Sequence, residues 1–536
     1  MDASDGSAPL PDASDAGMTP CEVSASTGNV IGCDYVAIFP SMMDNGIGIG
    51  ACAAVVVVNT NEQTLTLSVQ YQGTEQVPYH SALIDGHGQS ASYSALPSGD
   101  QVPPGVAAVV VLADPSPSGD DCLVPLTAPI VDHANIIDVD TPVNGVGNAF
   151  RVQTSLPAVA YQMWGYTVAD WAPNNVIPLR AAPSWVKQYT DVGTYIPGCD
   201  AGGAEFATGN AWTAAVASVA GTTVSMPSAQ NGTISNTLAA YQLLNVARCN
   251  EFIGQTVTAN NPFALWVGTA GLQVPSYADC EPTENFPALQ VAQTADWGHT
   301  YAFARQDNRP PATDERTFMR IIAAADGTIL TYSPSVPSGA PTTLSQGEMG
   351  TFWAYDPFVV SSGDANHPIF VVAHMVDPRD FDSNCLELDA STYSTEGSNA
   401  MHAAPSVEHW GTRYDLFMPL NSPASELVVV RAIGGNDVTL DCAGTITGWQ
   451  PIDTAYEFTR VWISQDTNGT FNPVVYTSGT CDTGVHTISS VGSFGVTAYG
   501  WISAPFNGNA WLFGWSYAYA PLSAHATVAV ADGGPQ

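Results

Sequence analysis

The sequence predicts an all-β protein, a tandem array of four β-sandwich modules of the immunoglobulin-like type. Three observations predict this fold class. A Gly-x-x-Tyr start, a pair of β-rich segments and a closing strand recur in the same order. Glycine (48 residues) and proline (39 residues) interrupt short β-branched runs, and we find no long apolar pattern with a helical period. Such a repeat fixes the architecture because each copy is one structural unit.

The start of the repeat is clearest in two copies, at 297–301 (WGHTY) and 410–414 (WGTRY). Residues 32–35 (GCDY) fit without the tryptophan, and residues 193–195 (GTY) fit with one residue missing. Four starts of one kind predict four modules that begin in the same way.

Each start is followed by a β-branched strand, a small or polar turn and an alternating strand, at 55–69, 213–226, 318–332 and 427–442. Asp326-Gly327 is a direct turn signal because tight hairpin turns need positive φ. The alternation of threonine with large apolar residues places one face in a core and the other in water. We therefore predict a β-hairpin in each module.

A closing strand completes each copy, at 152–161, 257–266, 360–372 and 488–499. Three copies carry a proline near the middle of the segment, and the fourth copy lacks it. Proline in a bend between two short strands removes no ladder hydrogen bond and presets φ. We expect a bend at this point in every copy.

These elements give module boundaries at 31–170, 171–283, 284–400 and 401–524, with an insertion near 113–148 in the first module. Residues 1–30 are predicted to be a disordered acidic Ser/Pro/Ala tether, and residues 525–536 a flexible tail. The alternative architecture is a β-propeller with two four-stranded blades per repeat, which would close the array into a disc. Contact between the first and fourth modules would favour the closed arrangement.

The charge excludes several classes of partner. The formal net charge is −37, from 49 acidic and 12 basic residues. A nucleic-acid-binding protein needs a basic surface that releases counterions, and an anionic membrane attracts basic segments. No run of residues approaches the roughly 20 apolar residues that span a bilayer. We expect no nucleic-acid partner and no transmembrane segment.

The ten cysteines include no Cys-x-x-Cys pair, which argues against zinc ribbons and thioredoxin-like sites. An even number dispersed along a polar chain favours disulfides in an oxidising compartment. Connectivity does not follow from sequence, and the simplest pairing joins sequence neighbours: Cys21–Cys33, Cys52–Cys122, Cys199–Cys249, Cys280–Cys385 and Cys442–Cys481. Together with the acidic tether, which typically follows a signal or lipid-anchor segment not present in this chain, the cysteines predict a secreted or cell-surface protein.

Two segments carry oxygen ligands that suit calcium. The richer set is Asp377, Asp380, Asp382 and Asn384, and the thinner one lies at 138–144. Neither matches the EF-hand loop, and Arg379 offers a rival explanation because it can pair with a neighbouring aspartate. Calcium is therefore the one cofactor that the sequence leaves open.

Local catalytic signatures are missing from the sequence. There is no Gly-x-Ser-x-Gly elbow, His-Glu-x-x-His motif, Walker loop or nucleotide fingerprint. Most aromatic residues, such as Trp164, Trp266 and Trp501, are expected in the core, whereas Trp171 and Trp353 are candidates for an outward carbohydrate-stacking platform, as is Trp185. We predict a binding protein without catalytic activity.

The segment 241–301 resembles the N-terminal domain of IgGFc-binding proteins, a family of secreted and cell-surface proteins. The resemblance is carried by Tyr241-Gln242, Pro262-Phe263-Ala264, Val274-Pro275 and the Trp-Gly-x-x-Tyr at 297–301. It implies an extracellular β-rich binding or adhesion module, but it does not imply an antibody ligand. We expect the partner to be an extracellular protein or glycan, and specifically a glycoprotein or carbohydrate. Two alternatives stay open: a structural subunit of a surface layer or filament, and a carbohydrate-active hydrolase that uses a pair of carboxylates from distant positions.

Overall fold

The structure is a computed structural model. It describes residues 18–38, 53–75, 81–113, 145–164, 175–194, 211–228, 232–247, 252–269, 274, 287–309, 314–376, 395–420, 422–466, 471–501, 503–504 and 516–523. Within these residues the chain is almost entirely β-structure, as predicted. One α-helix, α1 (Pro20–Ser26), lies inside the segment predicted to be a disordered tether. Thr19 caps this helix, and its side chain and that of Glu22 bond reciprocally to the backbone.

The described residues before 180 form eleven strands: β1 (Gly32–Ala37), β2 (Ala53–Val58), β3 (Leu65–Tyr71), β4 (Thr74–Glu75), β5 (Ser81–Asp85), β6 (Ser92–Ala95), β7 (Gln101–Val102), β8 (Ala107–Ala113), β9 (Gly145–Asn148), β10 (Phe150–Trp164) and β11 (Asn175–Pro178). The next seven are β12 (Val186–Thr190), β13 (Ala211–Ala217), β14 (Thr222–Ser228), β15 (Gly232–Leu238), β16 (Gln242–Ala247), β17 (Thr256–Thr269) and β18 (Ala288–Gln290).

Ten strands follow: β19 (Thr300–Phe303), β20 (Thr317–Ala323), β21 (Thr328–Ile329), β22 (Thr331–Ser333), β23 (Thr343–Leu344), β24 (Met349–Ala354), β25 (Phe358–Ser361), β26 (Ile369–Met375), β27 (Thr395–Glu396) and β28 (Ala400–Ala403). The last are β29 (Gly411–Met418), β30 (Ala424–Ala432), β31 (Val438–Leu440), β32 (Gly444–Thr445), β33 (Gln450–Pro451), β34 (Tyr456–Asp466), β35 (Phe471–Tyr476), β36 (Gly479–Cys481), β37 (Gly484–Trp501), β38 (Ser503–Ala504) and β39 (Ser516–Tyr519). Short 3₁₀-helices are Gly88–Ser90, Ala182–Ser184, Thr294–Asp296 and Val407–His409.

The long closing strand organises each unit. In the first unit, the N-terminal half of β10 pairs with β1 and β3, and its C-terminal half pairs with β2 and β11. The second and fourth units repeat this pattern around β17 and β37. In the third unit, the closing strand is divided into β25 and β26. Each unit therefore has two sheets that meet at the bend predicted from the proline.

The predicted hairpins are wrong in one respect. The two strands of each pair, such as β2 and β3, are formed, but they are not hydrogen-bonded to each other. Each instead pairs with a different half of the closing strand, so the connection is an arch between two sheets. A turn signal and alternation indicate a reversal of the chain but do not say which strand becomes the partner.

A pair of hydrogen bonds, which we call the latch, explains the tyrosine of the start motif. The Tyr301 hydroxyl accepts the Gly298 N–H (3.2 Å) and donates to the Ile369 carbonyl (2.7 Å), which directly follows the bend of the closing strand. Tyr35 and Tyr414 make the same two bonds in their units. The hydroxyl thus joins the beginning of a unit to the bend that closes it.

The second start was assigned to the wrong residues. Residue 195 lies outside the described residues, and the residue in the latch position is Tyr189, whose hydroxyl accepts the Val186 N–H at 3.4 Å. Trp185 precedes it as Trp297 precedes the third start, and each indole N–H donates to the carbonyl five residues earlier. Val186 replaces the glycine here, which hid the copy in the sequence.

The start glycine is needed for close approach to the turn that leaves the same unit. A Cβ at Gly298 would lie 2.2 Å from the Cβ of Ser406, and one at Gly411 would lie 2.4 Å from the Cβ of Ser523. Ser406 follows β28 and Ser523 follows β39, which pair with the closing strands of units three and four. The motif therefore records packing of the start of a unit against the turn that leaves it, and not a catalytic loop.

Removing one latch hydroxyl should destabilise the protein. Tyr414→Phe leaves the buried Gly411 N–H and Phe494 carbonyl without their partner, and we expect a loss of about 1–3 kcal/mol in the free energy of unfolding. Urea unfolding followed by tryptophan fluorescence measures it. Tyr355→Phe, at a tyrosine that is 42% exposed, is the control and should be nearly neutral. Equal midpoints for the two variants would contradict the latch.

The four units form a closed ring. The inner strands β11, β18, β28 and β39 contact one another in cyclic order, including the contact of β11 with β39. Four shared hydrophobic cores join units one and two, two and three, three and four, and four and one. The modules are thus not an open row. The arrangement is closed, as in the propeller alternative. That alternative had two four-stranded blades per repeat, whereas each repeat here contributes a single blade of four or more strands.

Burial on both faces follows from the ring. β2 (Ala53–Val58) is buried at all six positions because one face packs within its own unit and the other against unit four. The insertion predicted near 113–148 ends in β9, which pairs with β16 and so belongs to the sheet of unit two. The first two modules therefore cannot be separated at one position of the sequence, because a strand of the first segment belongs to the sheet of the second.

Two of the predicted disulfides lie within the described residues. Cys21–Cys33 ties α1 to β1, and Cys442–Cys481 joins two strand ends in unit four. The other six cysteines fall outside the described residues, so the pairings Cys52–Cys122, Cys199–Cys249 and Cys280–Cys385 stay predictions.

Candidate functional site at the ring axis

A cavity of about 140 Å³ lies where the inner strands end near the ring axis. All four units contribute to its wall: Val30, Val176, Ile177, Pro178, Arg180, Leu289, Gln290, Ala292, Asp296, Tyr301, Phe370, His402, Ala403, Ala404, Pro405, Ser406, His409, Ala518, Tyr519, Ala520, Pro521, Leu522 and Ser523. We call it the axial cavity. Its wall is mainly apolar with a few polar groups, which is the usual composition of a ligand pocket.

The four units place different side chains at equivalent positions of this cavity. Ile177, Leu289, His402 and Tyr519 each pair with the residue five positions beyond the bend of a closing strand. The backbone is therefore repeated four times around the cavity, whereas the side chains at equivalent positions differ from unit to unit. A scaffold needs only the shared features, so the differences between copies are the candidates for function.

His402 is the most unusual of these residues. It is 1% exposed, and its Nε2 lies 3.2 Å from the Tyr499 hydroxyl. Its Nδ1 has no hydrogen-bond partner within the described part of the chain. Burial lowers the pKa of His402 to about 3, so the imidazole is neutral near pH 7. An unpaired buried polar atom costs about 1–3 kcal/mol, which a bound polar group would recover.

An ion pair at the wall joins the turn after β11, in the sheet of unit one, to the 3₁₀ turn after β18, in the sheet of unit two. The Arg180 guanidinium bonds the Asp296 carboxylate, with side chains 12% and 15% exposed. Gln290 accepts the Arg180 backbone N–H at 2.7 Å, and Gln293 donates to the other Asp296 oxygen at 2.9 Å. The Asp296 carboxylate is therefore held by two side chains, and the backbone of Arg180 is fixed by Gln290.

Ser406 and His409 complete the polar side of the cavity. The Ser406 hydroxyl lies 2.7 Å from Nδ1 of His409, three residues along one 3₁₀ turn. Burial lowers the pKa of His409 despite the opposing effects of Asp296 and Glu408. This is a local contact within one turn, whereas a nucleophilic serine needs a base that a third group orients from elsewhere in the fold.

The sequence-predicted calcium ligands cannot be placed. Asp377, Asp380, Asp382 and Asn384, and the thinner set at 138–144, lie outside the described residues. The aromatic predictions are clearer: Trp164, Trp266 and Trp501 are buried as expected. The three candidates for a carbohydrate-stacking platform, Trp171, Trp185 and Trp353, have different outcomes.

Of those candidates, Trp171 lies outside the described residues. Trp185 is only 5% exposed. Trp353 packs beneath the guanidinium of Arg316 at 3.8 Å and beside Phe318. The two described candidates therefore do not form an open stacking row.

Sequence reasoning took Tyr301 as part of a start motif and His402 and His409 as structural, and it did not single out Arg180 or Asp296. The sequence did contain a signal for the site, because His402 and Asp296 each lie in the segment just before a Trp-Gly-x-x-Tyr start. Aligning the copies on Tyr189 and not on residue 195 would have shown Arg180 five residues before Trp185. The misplaced second start removed the comparison that makes the differences visible.

A family model described as IgGFc binding protein matches residues 176–500, which is more than half of the chain. The match runs from the first inner strand to the closing strand of the fourth unit. It includes the lead-in segments of the second, third and fourth starts. Searches against curated proteins and against solved structures give no match.

Proposed function

Because this chain belongs to the IgGFc binding protein family, an extracellular and non-enzymatic group, we propose that it is an extracellular binding protein that recognises a glycoprotein or carbohydrate at the axial cavity. The described helices include none long and apolar enough to cross a membrane. The partner is a protein or glycan outside the cell, and recognition involves no chemical step.

One observation carries the proposal: a single cavity collects one segment from each of four repeated units and departs from fourfold symmetry in its polar groups. His402, Arg180 and Asp296 each occur in one unit only at their position. The apolar remainder, including Tyr301 and Tyr519, gives a sugar ring or side chain a surface to pack against. Few polar groups in a mostly apolar wall fix the orientation of a ligand.

The hydrolase alternative receives less support. It requires two carboxylates that face each other across a bound sugar. Among the described residues of the cavity wall, Asp296 is the one carboxylate, and Arg180 already neutralises it. A binding role needs no such pair.

Binding should depend on the Arg180–Asp296 pair. Extracellular glycoproteins and glycans are screened on an array, with calcium and with a chelator, and the strongest ligand is titrated against variants. We expect Arg180→Ala to weaken binding about 10-fold or more, since it leaves Asp296 unpaired at the wall. Arg413→Ala removes a comparable pair with Asp415 whose arginine is 55% exposed, and it should bind like the parent.

The calcium arm tests a separate part of the proposal. If the chelator abolishes binding, Asp377, Asp380, Asp382 and Asn384 are the ligands to replace first. Binding that is equal in parent and Arg180→Ala chains would remove the axial cavity as the site. Hydrolysis of a glycan on the array would overturn the non-catalytic role.

A further inference from the structure

The start of unit four lacks a hydrogen bond that the starts of units two and three share. In those two units the indole N–H of the start tryptophan donates to the carbonyl five residues earlier, at 3.3 Å in both cases. The bonded pairs are Trp185 with Arg180 and Trp297 with Ala292. The equivalent residues of unit four are Trp410 and Pro405. The buried indole nitrogen of Trp410 has no hydrogen-bond partner in the described part of the chain.

A glycine in the closing strand accounts for the different position of Trp410. A Cβ at Gly495 would lie 2.5 Å from Nε1 of Trp410, so the indole packs directly on this strand. The ring also stands edge-on to Tyr456, with ring centres 5.7 Å apart. Pro405 belongs to the wall of the axial cavity, and among the residues that the structure describes none donates to its carbonyl. Unit four therefore presents an unused hydrogen-bond acceptor at the cavity.

His402, three residues before Pro405, supplies an unused donor to the same wall. The Tyr499 hydroxyl lies 3.2 Å from Nε2 of His402 and has no other partner within the described ranges. If this hydroxyl donates to Nε2, the neutral imidazole carries its hydrogen on Nδ1, and only that N–H is unpaired. The reverse bond would leave two groups unpaired, the tyrosine hydrogen and Nδ1, and each buried unpaired group is costly. The Nδ1–H of His402 is therefore a donor without an acceptor.

The size of the axial cavity limits the ligand to one ring. Its volume is about 140 Å³, and a cavity of about 150 Å³ in a protein core holds one benzene molecule. Leu289 and Phe370 are among its apolar wall residues. One terminal six-membered ring with a small substituent can enter such a cavity, whereas two linked rings cannot.

We propose that the axial cavity recognises one terminal acetamido sugar, an N-acetylhexosamine, through its amide group. This inference rests on the carbohydrate binding proposed above for the same cavity. The amide N–H donates to the Pro405 carbonyl, the amide oxygen accepts the Nδ1–H of His402, and the methyl group packs on the apolar wall. An amide supplies a donor and an acceptor together, so it pairs both unused groups of unit four at once.

Matched ligands test the contact with Pro405 without any change to the protein. The full chain is titrated by saturation-transfer NMR with the methyl glycosides of N-acetylglucosamine and N-acetylgalactosamine, with their acetate esters, in which an oxygen replaces the amide N–H, and with methyl glucoside. We expect the better acetamido sugar to bind about 10-fold or more tightly than its ester. The ester keeps the carbonyl and the methyl group, but it places an acceptor opposite the Pro405 carbonyl and leaves that carbonyl unpaired.

Two variants test the contact with His402. His402→Leu should abolish the preference for the acetamido sugar over methyl glucoside, because it removes the donor. Tyr499→Phe keeps the shape of the side chain and removes the hydroxyl that fixes the tautomer of His402, so it should weaken binding of the acetamido sugar about 3-fold. Tyr355→Phe, at an exposed tyrosine, is the control and should bind like the parent.

Equal binding of the acetamido sugar and its ester by the parent chain would overturn this inference even where His402→Leu fails to fold. Absence of binding by every glycoside would overturn it as well. If a glycan on the array still binds and Arg180→Ala weakens that binding, the proposed function stands and only the acetamido specificity is lost. A parent chain that binds no extracellular glycoprotein or glycan would remove both.

Discussion

Replacing Glu315 by glutamine is expected to lower the free energy of unfolding by about 3–5 kcal/mol, the cost of leaving a buried charge without its partner. Arg309 and Glu315 are both 0% exposed. The Arg309 Nη2–H bonds Glu315 Oε1 at 2.7 Å, and Gln306 donates to the same oxygen at 2.7 Å. The glutamine keeps the shape of the side chain and removes only the charge.

The position of Arg309 makes the effect large. Its guanidinium also donates to the carbonyls of Val376 (2.6 Å) and Ser398 (3.3 Å), which lie on either side of residues 377–394. The Ser398 backbone N–H in turn donates to the Ser516 hydroxyl at 2.9 Å. One ion pair therefore holds several polar backbone segments in the core between units three and four.

Two comparisons make this prediction sharp. The double variant Arg309→Met with Glu315→Met should recover part of the loss, since it leaves no unpaired charge although the carbonyls of Val376 and Ser398 lose this donor. Arg413→Ala, at a pair whose arginine is 55% exposed, should cost about 1 kcal/mol or less. The measurement is chemical unfolding of the full chain. If Glu315→Gln and Arg413→Ala shift the midpoint equally, the buried pair does not support the fold.

Stability should fall by about 2 kcal/mol between pH 6.5 and pH 8, because two buried acids lose their protons in this range. Burial raises the pKa of Glu426 from 4.5 to about 8, and it raises the pKa of Asp191 from 3.8 to about 7. Glu426 accepts the Asp307 N–H at 3.1 Å where units three and four meet. Asp191 accepts bonds from Gly193 and Thr213 in unit two.

The sign follows from proton binding. Above pH 5 the unfolded chain has released both protons, whereas the folded chain keeps them until the pH passes about 7 for Asp191 and about 8 for Glu426. Their contribution is therefore present at low pH and lost as the pH rises.

Two buried histidines act in the opposite direction at acid pH. Burial lowers the pKa of His374 and His402, so below pH 6.5 the unfolded chain binds protons that the folded chain does not. Stability is lost as the pH falls through this range. The two effects therefore largely offset each other between about pH 5 and pH 6, and the effect of the acids dominates above that range.

The variant Glu426→Gln tests how much of this pH dependence of stability comes from Glu426. The variant should lose most of the decline between pH 6.5 and 8, as measured by unfolding at a series of pH values. Glu62→Gln, at an exposed glutamate, is the control and should follow the parent. A Glu426→Gln profile that coincides with the parent across this range would show that Glu426 is already ionised in the folded protein.

Local pattern was sufficient for the elements of the fold. The closing strands are found where the sequence predicts them, and in three units the tyrosine of the start donates its hydroxyl to the carbonyl that follows the bend. Alternation and turn residues act over a few residues, so they are visible in one sequence. The second start was missed because Val186 replaces glycine and the packing tolerates it.

Partners distant in sequence were not predictable in the same way. Nothing in the alternation of β3 says that it pairs with β10 and not with β2, since both pairings bury the same face. The residues that meet at the axial cavity could not be predicted from local sequence for the same reason. Arg180 and Asp296 lie 116 residues apart, and they meet only because two inner strands end at neighbouring places on the ring.

The sequence by itself determined that this protein is all-β, repeated and related to IgGFc-binding proteins, since composition, short motifs and the order of strands carry those properties. Only the tertiary structure decided that the repeats close into a ring. Closure depends on the face that unit one presents to unit four, where Tyr161 donates to the Asp415 carbonyl at 2.5 Å across 254 residues. Such a contact is selected by the packing of whole sheets, and no local pattern records it.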